Sequence, residues 1–337
     1  MRRVWPWLRA LGGAAILAAL VWQFGTDALL DGLRLVDGQA VLAALGLGLL
    51  TTVFSAWRWC LIAWRLGLRL PLATAVADYY RALFLNVVLP AGVLGDAHRA
   101  VSHGRRSGNL GRGVRAVVLE RVGGQIVLIV LGVAVLLVHS SLASAVIGGI
   151  APAPGLGTAA LGGLAVALAL AAWARWGRST SKWRRAIVAT LTDVRLGLLA
   201  RDIWPGVVLL SMAALAGNVA LFLVAARTAG SSAPLFELAP LMVLTLLVMT
   251  LPVNVGGWGP REAFLALAFG AAGLGATQGF TTAVVCGVLT FVSSLPGAGV
   301  LLFRRTARAR PEPAHAELEE APRAREEREE ERLPVMT

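Results

Sequence analysis

The sequence predicts an all-α fold, a polytopic membrane bundle of about seven or eight transmembrane helices with some segments re-entrant or broken. Three observations carry this. Hydrophobic residues make up 57% of the chain and charged residues 15%, with a mean hydropathy of +0.72, more apolar surface than a soluble core hides. Several runs reach the roughly 20 apolar residues that cross a hydrocarbon layer of about 30 Å at 1.5 Å per residue. Two interior stretches, Leu89-Pro-Ala-Gly-Val-Leu-Gly-Asp-Ala-His-Arg99 and Leu251-Pro-Val-Asn-Val-Gly-Gly-Trp-Gly-Pro-Arg261, repeat one template of Leu-Pro, Val, Gly and Arg at matched spacing. Each sets helix breakers and an arginine against the end of a hydrophobic run, and interrupted segments at matching places in two halves point to a transporter's substrate site.

Taken in order, residues 8–24 follow Met-Arg-Arg in the manner of a signal peptide, but no small-residue cleavage site follows Phe24, so this run is expected to be an uncleaved first helix. Residues 40–64 span. The run 72–89 carries Asp78 and Arg81, three apart and able to pair on a helix, and Asn86 before the first motif. Residues 117–138 span, opened by Glu120 and Arg121 with Gln125 one turn later. Residues 156–173 are slightly short but adequate. Residues 182–204 place Trp183, Ile187, Leu191, Val194 and Leu198 on one stripe, with Arg184, Arg185, Arg195 and Arg201 largely off it; this reads as an interfacial helix in the headgroup layer or as a plain connector. Residues 207–226 span. Residues 238–251 and 263–275 are too short for full spans and suit half-helices or a tilted pair folded around the second motif. Residues 281–303 close the transmembrane domain, expected over 1–303. The remainder, 304–337, holds eight Arg, nine Glu, Pro311, Pro313 and Pro322 and reads as a disordered charged cytoplasmic tail.

The net charge of +12 is sorted into alternate loops rather than onto one face, which argues against nucleic acid and for membrane orientation. Arg2, Arg3 and Arg9, the cluster from Arg65 to Arg115, Arg175 to Arg185, and Arg304 to Arg310 mark cytoplasmic segments, whereas the loop 26–39 sets Asp27, Asp31 and Asp37 against Arg34 alone and 139–155 has no charge. Both termini are therefore expected in the cytoplasm, across a bacterial inner membrane.

Cys60 and Cys286 fall inside spans without Cys or His at ligand spacing, so neither a disulfide framework nor a metal site is expected. His98, His103, His139 and His315 read as loop or tail residues with no metal or general-base role. Arg58, between Trp57 and Trp59, reads as a snorkelling arginine in an aromatic belt. Asn218 and the intramembrane Gly, Ser and Thr residues read as helix-packing contacts.

In the first motif, Pro90, Gly92 and Gly95 break the helix and Asp96 is placed to cap a new one whose first turn carries Arg99, an arrangement suited to a phosphate or carboxylate. The alternative is a cytoplasmic loop in which Arg99 only obeys charge sorting. In the second motif Pro252, Gly256, Gly257, Gly259 and Pro260 prevent a continuous helix while Asn254, Arg261 and Glu262 add polar groups. Irregular backbone at membrane depth is tolerated only where protein or water covers it; at the surface, Arg261 and Glu262 would be a solvated pair.

The segments Pro90 to Arg99, Glu120-Arg121, Pro252 to Glu262 and Ser294-Leu-Pro-Gly297 together resemble the lysylphosphatidylglycerol synthase transmembrane region, also called the flippase-like domain, over about residues 8–303. In that family large members join the membrane region to an aminoacyl-transferase domain that attaches lysine to phosphatidylglycerol, and the membrane part is associated with flipping the product. The resemblance implies a stand-alone member; lysyl transfer is not expected, because the sequence contains no transferase domain.

The function expected is translocation or binding, between leaflets, of a phospholipid or other lipid-linked substrate with an anionic or zwitterionic headgroup. Arg99 and Arg261 would hold the phosphate in a shared cavity. Arg81, Arg121, Asn254, Gly256 and Gly257 would line the site, and Asp96, Glu120 and Glu262 would orient the arginines or meet a cationic moiety. No cofactor is expected, and no nucleotide-binding Gly-x-x-x-x-Gly-Lys-Ser/Thr loop is present. The rival readings are an intramembrane transferase with Asp96 or Glu120 as base, and a non-catalytic subunit that docks a biosynthetic enzyme partner.

Overall fold

The computed structural model describes residues 34–88, 94–139, 200, 202–250 and 259–309, with side chains to 302. The expected first helix, the 156–173 span, the interfacial helix before residue 200 and the tail beyond 309 lie outside the described residues, as do both motif tips, 89–93 and 251–258. The described residues form nine helices: α1 (Gly38–Arg65), α2 (Leu72–Val88), α3 (Leu94–Arg106), α4 (Leu110–Val138), α5 (Trp204–Thr228), α6 (Leu235–Val248), α7 (Pro260–Ala271), α8 (Ala276–Ser294) and α9 (Pro296–Ala309). α1, α4, α5 and the α8–α9 run to Leu302 are long and apolar enough to cross a membrane.

Local chemistry sets the helix starts. Asp37 accepts the Ala40 amide at 2.8 Å to open α1, and Asn109 accepts the Arg112 amide at 3.0 Å to open α4. Pro260 stands in the first turn of α7, where its missing N–H is harmless, and Glu262 reaches back to accept the Gly259 amide at 2.6 Å. The closing span, expected to be one helix, breaks at Leu295 and Pro296. Gly297 lets α9 press onto α2, since a Cβ there would lie 2.2 Å from the Tyr80 carbonyl oxygen.

α1 and α5 are antiparallel, because Thr51 meets Gly217, Arg58 bonds Ser211 and Arg65 pairs with Asp202. Between α1 and α4 the chain makes a helical hairpin, α2–α3. It leaves and rejoins the same arginine-rich end of the bundle, where Gly67 at the close of α1 faces Arg112 at the opening of α4. Between α5 and α8 it makes a second hairpin, α6–α7, that leaves and rejoins the opposite end, where Gln278 on α8 donates to the Ala229 carbonyl just past α5. The hairpin helices have 17, 13, 14 and 12 residues, lengths of about 18 to 26 Å at 1.5 Å per residue, so none is a full span. The short segments expected around the second motif are thus a pair of packed helices too short to be full spans, and the first motif is flanked by such a pair too.

These halves are inverted copies. Exchanging α1 with α5, α2 with α6, α3 with α7 and α4 with α8 maps every interhelix packing among these eight onto another that is present: α2–α3 onto α6–α7, α3–α4 onto α7–α8, α4–α6 onto α8–α2, and α1–α5 onto itself. Each repeated template runs across the link between the two helices of its hairpin, and the links themselves, 89–93 and 251–258, lie outside the described residues.

Two apolar cores hold the repeats together. One gathers Ala40, Ala44, Phe222, Leu238, Leu265 and Phe269, the other Ala56, Trp59, Ile62, Tyr79 and Val117. On α1 the residues between these cores, Thr51, Thr52 and Ser55, are polar.

Candidate functional site

The site begins with a close approach of α3 to α2. A Cβ on Gly95 would stand 2.0 Å from the Ala82 carbonyl oxygen, so only glycine permits this contact. The Gly95 amide donates to Asn86 Oδ1 at 2.8 Å and Asn86 Nδ2 donates to Asp96 Oδ2 at 3.0 Å. The α3 terminus is therefore closed by Asn86, and Asp96 does not take the capping role expected of it: its carboxylate meets Asn86, Arg121 and Arg99 instead.

One turn on, Arg99 is buried between the rings of Trp59 and Tyr79, its guanidinium carbon 4.5 and 4.1 Å from their centroids. Arg99 Nε and Nη1 have no hydrogen-bond partner and rest on π faces, which attract a cation without accepting a conventional hydrogen bond. Its Nη2 donates to Glu120 Oε2 at 2.8 Å. Glu120 is fully buried, and its other oxygen accepts from Tyr79 Oη at 3.0 Å and from Arg58 Nε at 3.1 Å, with a further bond from Arg58 Nη2. Arg58 Nη1 donates to Ser211 Oγ at 2.8 Å. A single carboxylate thereby ties α1, α2, α3 and α4 together and holds two buried cations, one of which reaches on to α5.

Arg121, beside Glu120 in sequence, pairs with Asp96, and its side chain remains 44% exposed. Three guanidinium groups (Arg58, Arg99, Arg121) thus face two carboxylates (Asp96, Glu120), leaving one positive charge in the cluster. Nearby, Asp78 pairs with Arg81 as their spacing suggested, and also with Arg106.

Above this cluster opens a cavity of about 330 Å³ lined from α1, α2, α4, α5 and α6. Arg58 and Arg121 are on its wall, with Thr51, Ser55, Gln125, Ser211, Asn218 and Thr250 among the polar residues above them. Thr51, Ser55 and Arg58 recur at one-turn intervals on α1, as do Ser211, Leu215 and Asn218 on α5 and Arg121, Gln125 and Leu128 on α4, so each helix offers one face. Gly124 makes room for this wall: a Cβ there would stand 3.0 Å from two Arg58 guanidinium nitrogens.

Several expectations are corrected here. Arg58 does not snorkel; it is 7% exposed and ion-paired, because Glu120 draws it inward. Asn218, Ser55 and Ser211 line the cavity as well as packing helices. His98 and His103 lie on α3 rather than in a loop, and His103 is buried edge-on to Trp59 at 5.2 Å. Of the anticipated site residues, the structure joins Asp96, Arg99, Glu120 and Arg121 in one cluster, with the Asp78–Arg81 pair farther down α2. Arg99 stands one carboxylate behind the cavity wall, not on it. Arg261 and Glu262 are held elsewhere, on α7 between α6 and α8, both buried, with Arg261 Nε donating to Glu262 Oε1 at 2.9 Å. Asn254, Gly256 and Gly257 lie outside the described residues. No group of His, Cys, Asp and Glu suited to a metal occurs among the described residues.

Residues 7–297 match the family described as the lysylphosphatidylglycerol synthase TM region. The chain belongs to this family. The match covers both repeats and all the residues of the arginine–glutamate cluster, so the flippase-like architecture of this multi-pass membrane protein is the inverted pair of hairpin repeats described above. A search of curated proteins finds no match.

Proposed function

We propose that this flippase-like protein carries a phosphate-bearing lipid between leaflets of the bacterial inner membrane, the headgroup passing through the polar cavity while the tails stay in lipid. The carrying observation is the cavity itself: Arg58 and Arg121 at its base and hydroxyl and amide side chains above, most of them on the long apolar helices α1, α4 and α5. Charged side chains inside spans are costly and are retained where they serve a pathway. On this reading the arginine-rich end faces the cytoplasm, following the charge sorting of the loops. Opposed hairpins then supply the two sides of an alternating path around the cavity.

An intramembrane transferase would need a carboxylate free to act as base. Glu120 accepts from Arg58, Tyr79 and Arg99, and Asp96 from Asn86 and Arg121, which disfavours either as that base. With no nucleotide motif, transport runs downhill or on an ion gradient. The test is leaflet exchange of fluorescent-tailed phosphatidylglycerol in proteoliposomes. Exchange above protein-free vesicles, lost in Arg121→Gln with the lipid chemically unchanged, supports the proposal; exchange at the protein-free rate, or conversion of the lipid to a covalent product, overturns it.

A further inference from the structure

We infer that a second, apolar cavity continuous with the polar one holds an acyl chain of the translocated lipid, an inference that rests on the translocation reading above. This cavity has a volume of about 380 Å³ and is walled by α4, α5 and α6, and every described residue on its wall is apolar. Leu131, Met212, Ala220, Leu223, Leu235 and Ala239 are among them. At about 30 Å³ for each water-sized group, the hollow has room for roughly a dozen chain carbons, hence for one acyl chain and not two.

Its place beside the polar cavity decides the occupant. The two share Leu215 on α5. On α4 the wall passes from Leu128 of the polar cavity to Leu131 of the apolar one, and on α6 from Leu246 to Val243, a single turn in each case. All three helices continue in one direction: α4 and α5 away from their starts at the arginine-rich end, α6 back toward its start at the opposite end. A ligand whose phosphate sits on Arg121 therefore meets, about 15 Å along α4 at Leu131, an apolar channel for the rest of the molecule. The stretch of wall from Met212 to Leu223 runs for about 16 Å at 1.5 Å per residue. That is close to the depth of one leaflet, half of a hydrocarbon layer of about 30 Å. Met212 is 40% and Leu235 52% exposed, so the channel opens sideways, to the bilayer in which the tails are kept. A soluble phosphate fills only the polar half; the two cavities together fit a phosphate-bearing lipid with a long chain.

The experiment uses phosphatidylglycerol with a photoactivatable diazirine midway along one acyl chain, in proteoliposomes, and locates the labelled residues by mass spectrometry. Ile126 and Val133, exposed on α4 outside both cavities, report ordinary bilayer lipid. Labelling at Leu131, Leu223 or Ala239 is expected to exceed theirs. It is expected to fall about tenfold in Arg121→Gln, which removes a charge-assisted bond to the phosphate of the same molecule, while labelling at Ile126 and Val133 stays unchanged. Ala220→Phe and Ala239→Phe fill the channel from different helices. In protein that elutes as a single folded species, each is expected to slow exchange of fluorescent-tailed phosphatidylglycerol at least about fivefold. Channel labelling no stronger than that of Ile126 and Val133, labelling unmoved in Arg121→Gln, or wild-type exchange in both folded phenylalanine variants overturns the chain site and leaves translocation standing. The first of these is the result expected if residues 8–24 or 156–173 of the chain itself fill the channel. Labelling that depends on Arg121 without exchange above protein-free vesicles supports the chain site and overturns translocation.

Discussion

The two hairpins share a template and handle its arginine differently. In the first, Arg99 reaches across to Glu120 on α4, which also holds Arg58 and Tyr79. In the second, Arg261 bonds the neighbouring Glu262 on its own helix. The packing register makes the contrast sharper. Gly113 on α4 meets the backbone of α3 as Gly279 on α8 meets that of α7, and Glu120 and Cys286 follow these glycines at equal spacing. Cys286 therefore occupies the place of Glu120 in the second repeat and lies near Arg261. A carriage of charge across helices locks elements together, whereas a pair within one helix does not. The first hairpin is pinned through the Glu120 carboxylate to α1 and α4, whereas the second packs on α4, α5 and α8 with its arginine–glutamate pair kept inside α7.

The largest expected effect comes from Glu120→Gln, which leaves Arg58 and Arg99 buried without a counter-charge; loss of about 3–5 kcal/mol is expected, read as denaturant or thermal unfolding in detergent. Glu262→Gln removes the carboxylate charge beside Arg261 alone and keeps an acceptor for the Gly259 amide, so about 1.5–3 kcal/mol is expected from the same measurement. If it proves as damaging as Glu120→Gln, the contrast between the hairpins is wrong. The register is tested by adding Cys286→Asp to Glu262→Gln: recovery of about 1 kcal/mol over the single variant is expected if position 286 matches position 120, and no recovery breaks the correspondence. Gly124→Ala pushes against the Arg58 guanidinium, and about 1–2 kcal/mol is expected, together with slower lipid exchange. Arg65→Ala removes the partly exposed pair with Asp202 and a loose approach to the Trp64 ring, 6.0 Å from its centroid, and a change below about 0.5 kcal/mol is expected.

The cavity wall is legible in the sequence only when several spans are compared. Thr51, Ser55 and Arg58, Ser211 and Asn218, and Arg121 and Gln125 are polar residues at helical spacing inside apolar runs. Read one span at a time, each is an ordinary packing contact or a snorkelling cation; read across spans, the three stripes mark helices that face one hollow. Arg58 was misread because its tryptophan neighbours are a sound sign of an interface and its carboxylate partner lies far along the chain on α4. Asp96 was misread because a carboxylate at a helix start caps by default, and here Asn86 from α2 had already taken the amide.

By itself the sequence determined the membrane class, the long spans, the two broken segments and the family, because hydropathy, chain-length requirements and breaker residues act within a short window of chain. Only the tertiary structure decided that the helices flanking the two segments pack as short hairpins at opposite ends of the bundle, that Arg99 supports the cavity from behind while Arg58 and Arg121 form its wall, and that the two template arginines have different partners. Those outcomes depend on which helices pack together. In a bilayer, apolar faces pack with little preference, so a few long-range contacts, a glycine against a carbonyl or a buried carboxylate among three guanidinium groups, select the arrangement.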